Sequence, residues 1–259
     1  MIRVGIGGWT FAPWRGPFYP KGLPHKDELR HASRHVTAIE INGTFYRTQT
    51  PASYRKWAEE TPDNFVFALK GHRFVTNRKV LAEAGDAVRH FIDSGILELG
   101  SKLGPINWQL APTKRFDAAD IDAFLGLLPR EAEARRLRHA IEVRHESFIT
   151  PDFVAIARRH NVAIVYAEAD DYPGIPDVTA DFIYGRLQRS RAGEALGYPA
   201  PELDTWAERA KAWHGSGAAD GLPCLAEAAE SRPREVFLFF ISGEKVCNPA
   251  AAMALLERL

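Results

Sequence analysis

Cysteine is almost absent. The two residues, Cys224 and Cys247, show no C-x-x-C spacing, which removes the usual signal for a thiolate zinc site or a redox pair. Two free thiols in a reducing cytosol is the plain reading, with a disulfide between them as the alternative. An excess of one charge is also missing. Lys+Arg and Asp+Glu both number 33, so the formal net charge is zero, whereas a dedicated DNA-binding chain is usually basic. A local anion site stays open, because clefts focus charge. The start of the chain, MIRVGIGGWT, lacks a secretory apolar segment, and no apolar run reaches membrane-spanning length. The expectation is a cytoplasmic protein without a membrane partner. No H-x-H, H-E-x-x-H, G-x-S-x-G or P-loop pattern occurs, so neither a metal nor a cofactor is expected. Repeats and coiled-coil heptads are absent too.

What is present is an alternation of strand-like and helix-like segments. Strands are expected at 2–8, 37–42, 64–70, 106–110, 138–144, 162–168, 181–187 and 235–241. Helices are expected at 26–34, from Thr50-Pro51 to a stop at Thr61-Pro62, over 80–94, over 117–128 and from Thr150-Pro151. A further helix carries the Leu203–Trp213 stripe to Gly215, and a last one opens at Asn248-Pro249. Eight such strands in 259 residues favour a single TIM-type (β/α)8 barrel spanning 1–259. A doubly wound open sheet is the alternative, but GIGGWT runs into Phe11 and Pro13 instead of opening a helix, so it is no dinucleotide fingerprint. The small-residue stretch 215–234 reads as a surface insertion.

The informative signal is where charge sits. IEIN (39–42), FVFALK (65–70), INWQL (106–110), AIEVR (140–144) and FIYGRL (182–187) place charged, amide or hydroxyl side chains at the ends of apolar runs. Strand side chains alternate between faces. If Ile39, Ile41, Ile141 and Val143 face helices, then Glu40, Asn42, Glu142 and Arg144 face the barrel interior. Lys70, Gln109, Tyr184 and Arg186 follow by the same parity. All stand near C-terminal strand ends, where barrel enzymes carry their sites. A ring of buried charge needs internal pairing or a ligand. A ligand pocket is the preferred reading, and a salt-bridge network filling the barrel is the structural alternative.

Glu40 and Glu142 are acid/base candidates, although each, taken alone, reads more simply as the counter-ion of Lys70 or Arg144. Lys70, Arg144 and Arg186 would hold negative charge, while Gln109, Asn42 and Tyr184 would orient a ligand. Arg189 and Arg191 are either phosphate contacts or a solvated loop. His72 and His145 follow strands three and five and read as hydrogen-bonded mouth histidines, His145 being a substrate-binding candidate. Trp9, Trp14, Phe18, Tyr19, Phe45 and Tyr46 are core or lid packing first, with Trp9 and Tyr46 able to stack on a ligand.

GGWTFAPWRGPFYP (7–20), EINGTFYRTQTPASYRKWAEETPDNFVFALK (40–70), LGPINWQLAP (103–112), IEVRHESF (141–148) and DFIYGRL (181–187) together resemble the YecE-like family, a domain-of-unknown-function family. The resemblance covers almost the whole chain. It implies a TIM-type barrel and no established reaction, and its features map onto Trp9, Glu40, Asn42, Phe45, Tyr46, Lys70, Gln109, Glu142, Arg144 and Arg186. The chain departs from the family pattern at Asn77, Gln188 and Ser242, the last standing where the family has Asn.

The leading functional expectation is an enzyme, of lyase, isomerase or hydrolase type, for a small polar metabolite that is phosphorylated or sugar-like. Glu40, Glu142 and Lys70 are its catalytic candidates. A non-catalytic ligand-binding barrel is the alternative. An endonuclease-type enzyme on a related barrel comes third, since no histidine-rich metal set supports nucleic acid as a partner.

Overall fold

Short apolar runs with every second residue directed one way form strands that bury two different faces. A computed structural model describes residues 1–259 except 216, 219 and 220. Eight parallel strands close into a barrel. They are β1 Ile2–Gly7, β2 Ala38–Ile41, β3 Val66–Lys70, β4 Leu103–Gln109, β5 His139–Glu142, β6 Ala163–Glu168, β7 Phe182–Leu187 and β8 Glu235–Phe240. They run around the barrel in chain order, and β8 pairs back onto β1, Ile2 opposite Val236 and Ile6 opposite Phe240. The closure bears out the expected barrel and rules out an open sheet.

The helices are α1 Glu28–Ala32, α2 Pro51–Glu60, α3 Arg73–Thr76, α4 Gly85–Ile92, α5 Ala118–Gly126, α6 Pro151–His160, α7 Ala200–Gly215 and α8 Asn248–Leu256. Both Thr-Pro starts hold. The Thr50 hydroxyl accepts from Ser53 N at 3.2 Å, and the Thr150 hydroxyl accepts from Asp152 N at 3.3 Å. Each satisfies an amide left free by the first helical turn, and Pro at N1 has no amide to satisfy. At the far end of α2 the Lys102 amine donates to Thr61 O at 2.6 Å and also to Ala58 O, which covers the last carbonyls.

Several boundaries differ from expectation. The first helix is a 3-10 turn, His25–Asp27, followed by five residues of α1. The 80–94 helix is split into a 3-10 turn, Leu81–Glu83, and α4. β5 ends at Glu142, so Val143 and Arg144 lie in the loop that follows. Residues 169–181 join β6 to β7 without a helix. Tyr166 of β6 packs instead against Trp206 and Trp213 of α7, which cover that flank. The described part of the 215–234 stretch contains no helix or strand beyond Gly215. It is tied down where Leu225 N and Ala226 N donate to the Asp177 carboxylate. No helix among the described residues is long and apolar enough to cross a membrane.

Two hydrophobic layers result. The larger lies between strands and helices and holds Ile39, Ile41, Phe67, Leu69, Trp108 and Ile141. The smaller fills the lumen with Ala38, Ala68, Ala140 and Ala163 facing Phe182, Tyr184, Phe237 and Phe239. Small residues on one side leave space for large ones on the other, as dense packing requires. Gly5 continues the pattern, since a Cβ there would lie 2.0 Å from Ala38 O and 3.2 Å from the Phe239 ring. Even-numbered residues of β2 and β5 and those of β7 fill this lumen, so one more step along each strand brings Glu40, Glu142 and Arg186 to its upper end.

Candidate active site at the C-terminal mouth

Four strands deliver the expected charges to one place. Arg186 on β7 donates from Nη1 to Glu142 Oε1 at 2.8 Å and Oε2 at 2.7 Å, and from Nη2 to Glu40 Oε1 at 3.2 Å. One guanidinium thus bridges β7 to both β5 and β2. Tyr184, two residues below, donates its hydroxyl to Glu40 Oε2 at 2.6 Å. Asn107 on β4 donates to Glu142 Oε2 at 3.1 Å. Arg144 donates from Nε and Nη2 to Glu142 Oε1 at 3.0 and 2.8 Å, and from Nη2 to Gln109 Oε1 at 2.7 Å. Its guanidinium lies 4.3 Å from the centre of the Tyr172 ring.

Both carboxylates are 0% exposed. Burial alone would raise the Glu142 pKa, but the charges of Arg186, Arg144 and Lys70 outweigh it and hold the carboxyl down to about 2. Burial, and then the Glu40 charge beside it, pushes the Tyr184 hydroxyl well above its usual value. The Arg186 guanidinium is affected the opposite way: burial disfavours its charge, yet Glu142 and Glu40 overcome that and raise its pKa.

Above this floor lies a cavity of about 600 Å³, within the range of small-molecule sites. Of the expected site residues, Trp9, Asn42, Tyr46, Lys70, Gln109, Arg144 and Arg186 line it. Glu40, Glu142, Tyr184 and His145 do not. The first three of these lie beneath it. His145 is engaged locally, its Nδ1 facing Ser147 N at 3.1 Å at the start of a 3-10 turn. His72 does the same for α3 through Phe74 N at 3.2 Å.

Lys70 stands apart from its neighbours. Only 8% of it is exposed, and its amine lies 4.9 Å from the centre of the Phe45 ring. Among the described residues its amine has no hydrogen bond or ion pair, although it lines the cavity. Burial, then the Arg186 charge, lowers its pKa to about 8, against the opposing pull of Glu40 and Glu142.

Sequence reasoning missed Arg47, Lys245, Thr10, Gln49, Trp57 and Asn248, which also line the cavity. Arg47 follows β2 in a loop and Lys245 follows β8 at the start of a 3-10 turn, and their position after a strand end was the one signal available. Asn107 was missed although it has the same parity as Gln109. Arg189 and Arg191 lie outside the lining and pair at the surface with Asp170 and Glu202. Among the departures from the family pattern, Asn77 caps α3 and lines a separate groove, and the Gln188 amide nitrogen is buried without a partner among the described residues. Ser242 lines the mouth with φ +66°, a left-handed conformation that Asn adopts more readily than Ser. No group of three or more His, Cys, Asp or Glu placed to hold a metal occurs among the described residues.

The family described as "Protein of unknown function DUF72" matches residues 3–259. The UPF0759 protein YecE of Escherichia coli K12 is 28% identical over 151 residues, covering 57% of this chain and 50% of that protein. The UPF0759 protein YunF of Bacillus subtilis is 25% identical over 165 residues, 59% of this chain and 54% of that protein. The chain therefore spans about half the length of the curated relatives it matches. A crystal structure of a DUF72 family protein from Thermotoga maritima superposes with TM-score 0.72 at 21% identity, covering 100% of this chain and 97% of the other. One from Enterococcus faecalis gives 0.68 at 18%, covering 100% and 98%. Likeness at this identity establishes the shared barrel.

Proposed function

We propose that this chain, which belongs to the DUF72 family, is an enzyme that binds a small anionic, polar metabolite in the C-terminal mouth of its barrel. One observation carries the reading. Five lining residues are cationic, Arg47, Lys70, Arg144, Arg186 and Lys245, and none of the described lining residues is Asp or Glu. Glu40 and Glu142, which offset two of these five charges, are directed into the floor. A ligand entering the cavity meets a surface of one sign, surrounded by low-dielectric walls that strengthen its attraction.

The parts have distinct roles in this reading. Arg186 and Arg144 are largely spent on Glu142 and Glu40, so Lys70, Lys245 and Arg47 are the cations left for an anionic group. Lys245 is held 4.4 Å from the centre of the Phe11 ring, which fixes its amine at the rim. Gln109 gives its oxygen to Arg144 and keeps its amide protons for the ligand. Trp9, Phe45 and Tyr46 supply flat apolar faces, and Tyr46 is 64% exposed. Glu142, held ionised far below neutral pH, serves as a counter-ion in this reading and not as a proton donor. Lys70 becomes the group best placed to exchange a proton near neutral pH.

Titration with inorganic phosphate tests the site. Calorimetry of the parent should detect binding that weakens with salt. The Arg47→Ala/Lys245→Ala variant should lose about tenfold or more in affinity, the loss expected when charge-assisted contacts are removed. Equal affinity in parent and variant would place the anion elsewhere.

A further inference from the structure

We propose that Lys70 is an imine-forming nucleophile: its amine condenses with the aldehyde or ketone of a ligand whose anionic group is held by Arg47 and Lys245. This rests on the anion-binding reading of the mouth and narrows it to anionic carbonyl compounds.

Two other shielded amines in the protein are hydrogen-bonded. Lys102 is as buried as Lys70, and its amine is committed to Thr61 O and Ala58 O. The Lys114 amine is committed to Lys79 O and Asp120. The Lys70 amine has no such acceptor among the described residues, and it opens onto the cavity at the end of β3. A buried ammonium without a hydrogen-bond acceptor is unfavourable. The Phe45 ring, 4.9 Å away, attracts the charged form only weakly, and without its proton the amine has a lone pair free to react with a group in the cavity. The acidic groups that would hold it protonated are taken by others: Glu142 faces Arg186, Arg144 and Asn107, and Glu40 faces Arg186 and Tyr184.

The charges around Lys70 come from every side of the barrel mouth. Arg186 and Arg144 disfavour its proton, Glu40 and Glu142 favour it, and burial, the largest influence, shifts the balance toward the neutral amine, lowering the pKa to about 8. At pH 7.5 about a quarter of such amines are neutral, against about one in a thousand for an ordinary lysine. A desolvated lysine next to cationic groups is a recognised way to make a carbonyl nucleophile.

The step balances without a further reagent. The nitrogen lone pair forms a bond to the carbonyl carbon, and the C=O π electrons move to oxygen, which takes a proton. Water then leaves from that carbon as the C=N bond forms. One of the two protons in that water comes from the Lys70 nitrogen and the other from solvent, so the proton that Lys70 gave up on becoming neutral is taken back and the product is a protonated imine with a single positive charge. It withdraws electrons from the adjacent carbon, so a bond to that carbon becomes easier to break, which suits a lyase or isomerase.

Glyoxylate, a carboxylate with one aldehyde, is the probe, with sodium cyanoborohydride supplying hydride to reduce the imine to a stable carboxymethyl-amine. Peptide mapping of the parent protein at pH 7.5 reads the site of modification. Residue 70 should be modified at least about tenfold faster than any other lysine, with a rate that climbs as pH rises through about 8. Lys70→Arg should lose that adduct. Should this variant not fold, the mapping of the parent decides alone. Labelling spread over exposed lysines in proportion to their exposure would overturn the proposal. Acetate, which has the charge but no aldehyde, separates the two readings. Selective labelling slowed by acetate supports both. Selective labelling indifferent to acetate and to salt keeps the nucleophile and removes the anion site. Unselective labelling, with acetate still binding by calorimetry, removes the nucleophile and keeps the anion site.

Discussion

The two ends of the barrel solve the same charge problem in different ways. At the N-terminal end, Arg3 and Arg138 share the single carboxylate of Glu235, Arg3 at 2.5 Å. Arg3 also donates to Asn64 O at 2.7 Å, and the Arg138 guanidinium lies 4.9 Å from the centre of the Phe237 ring. Both of these cations touch a partner, and the Glu235 side chain is 26% exposed. At the C-terminal end the carboxylates are sealed, two arginines are matched to them, and Lys70 is left over beneath a cavity. Charge pairing therefore does not distinguish a closed end from a site. The difference lies in Lys70, Arg47 and Lys245, which have no acceptor among the described residues, and in the space they line.

Removing a carboxylate at each end is the strongest way to break this contrast. Glu142→Gln leaves Arg186 and Arg144 without their shared charge in a dry environment and should cost about 3–5 kcal/mol in urea melts. Glu235→Gln acts where water screens the pair and should cost about 1 kcal/mol. A small loss for Glu142→Gln would instead return Glu142 to the acid/base role considered from sequence.

Proton linkage gives the next largest effect. The Glu142 pKa is depressed on folding, so its contribution is complete above about 4.5 and is lost as pH falls toward about 2. Burial first opposes and then Arg138 lowers the Glu235 pKa, which gives an acid loss of the same sign. The alkaline side separates the ends. The Lys70 pKa is lowered on folding from 10.5 to about 8, so the unfolded chain holds its proton over that interval and the native protein does not. Stability should rise with pH from about 8 to 10.5 through this group, and the rise should be absent in Lys70→Met. Parallel curves for parent and variant would mean that Lys70 is not burdened by its charge.

The smallest effect sharpens the rim. Ser242 sits at φ +66°, and Ser242→Asn should add about 0.5 kcal/mol to stability because Asn tolerates the left-handed region better. Melting curves of the two proteins decide it.

How much of this was readable beforehand follows from what alternation encodes. Period-two parity specifies which face of a strand a residue occupies, and it correctly assigned Glu40, Lys70, Glu142, Tyr184 and Arg186 to the lumen side. Parity cannot specify how far below a cavity floor a side chain ends. That is why Glu40, Glu142 and Tyr184 were grouped with residues that a ligand can reach. Nor can it decide which cation claims which carboxylate, because β2, β5 and β7 meet only after closure. Arg47 lies in a loop and Lys245 in a three-residue 3-10 turn, both too short or irregular for apolar periodicity to register. The helix-free link between β6 and β7 was equally hidden, since its substitute cover, α7, comes later in the chain.

The Arg186 fork has a mechanical consequence. β7 is not a neighbour of β2 or of β5, so its bonds to Glu40 and Glu142 act as spokes across the lumen rather than as stitches between adjacent strands. Flattening the barrel into an ellipse at this level would stretch at least one charged hydrogen bond. The bore at the base of the mouth is thus held at one diameter, and adjustment to a guest falls to the loops that carry Arg47 and Lys245.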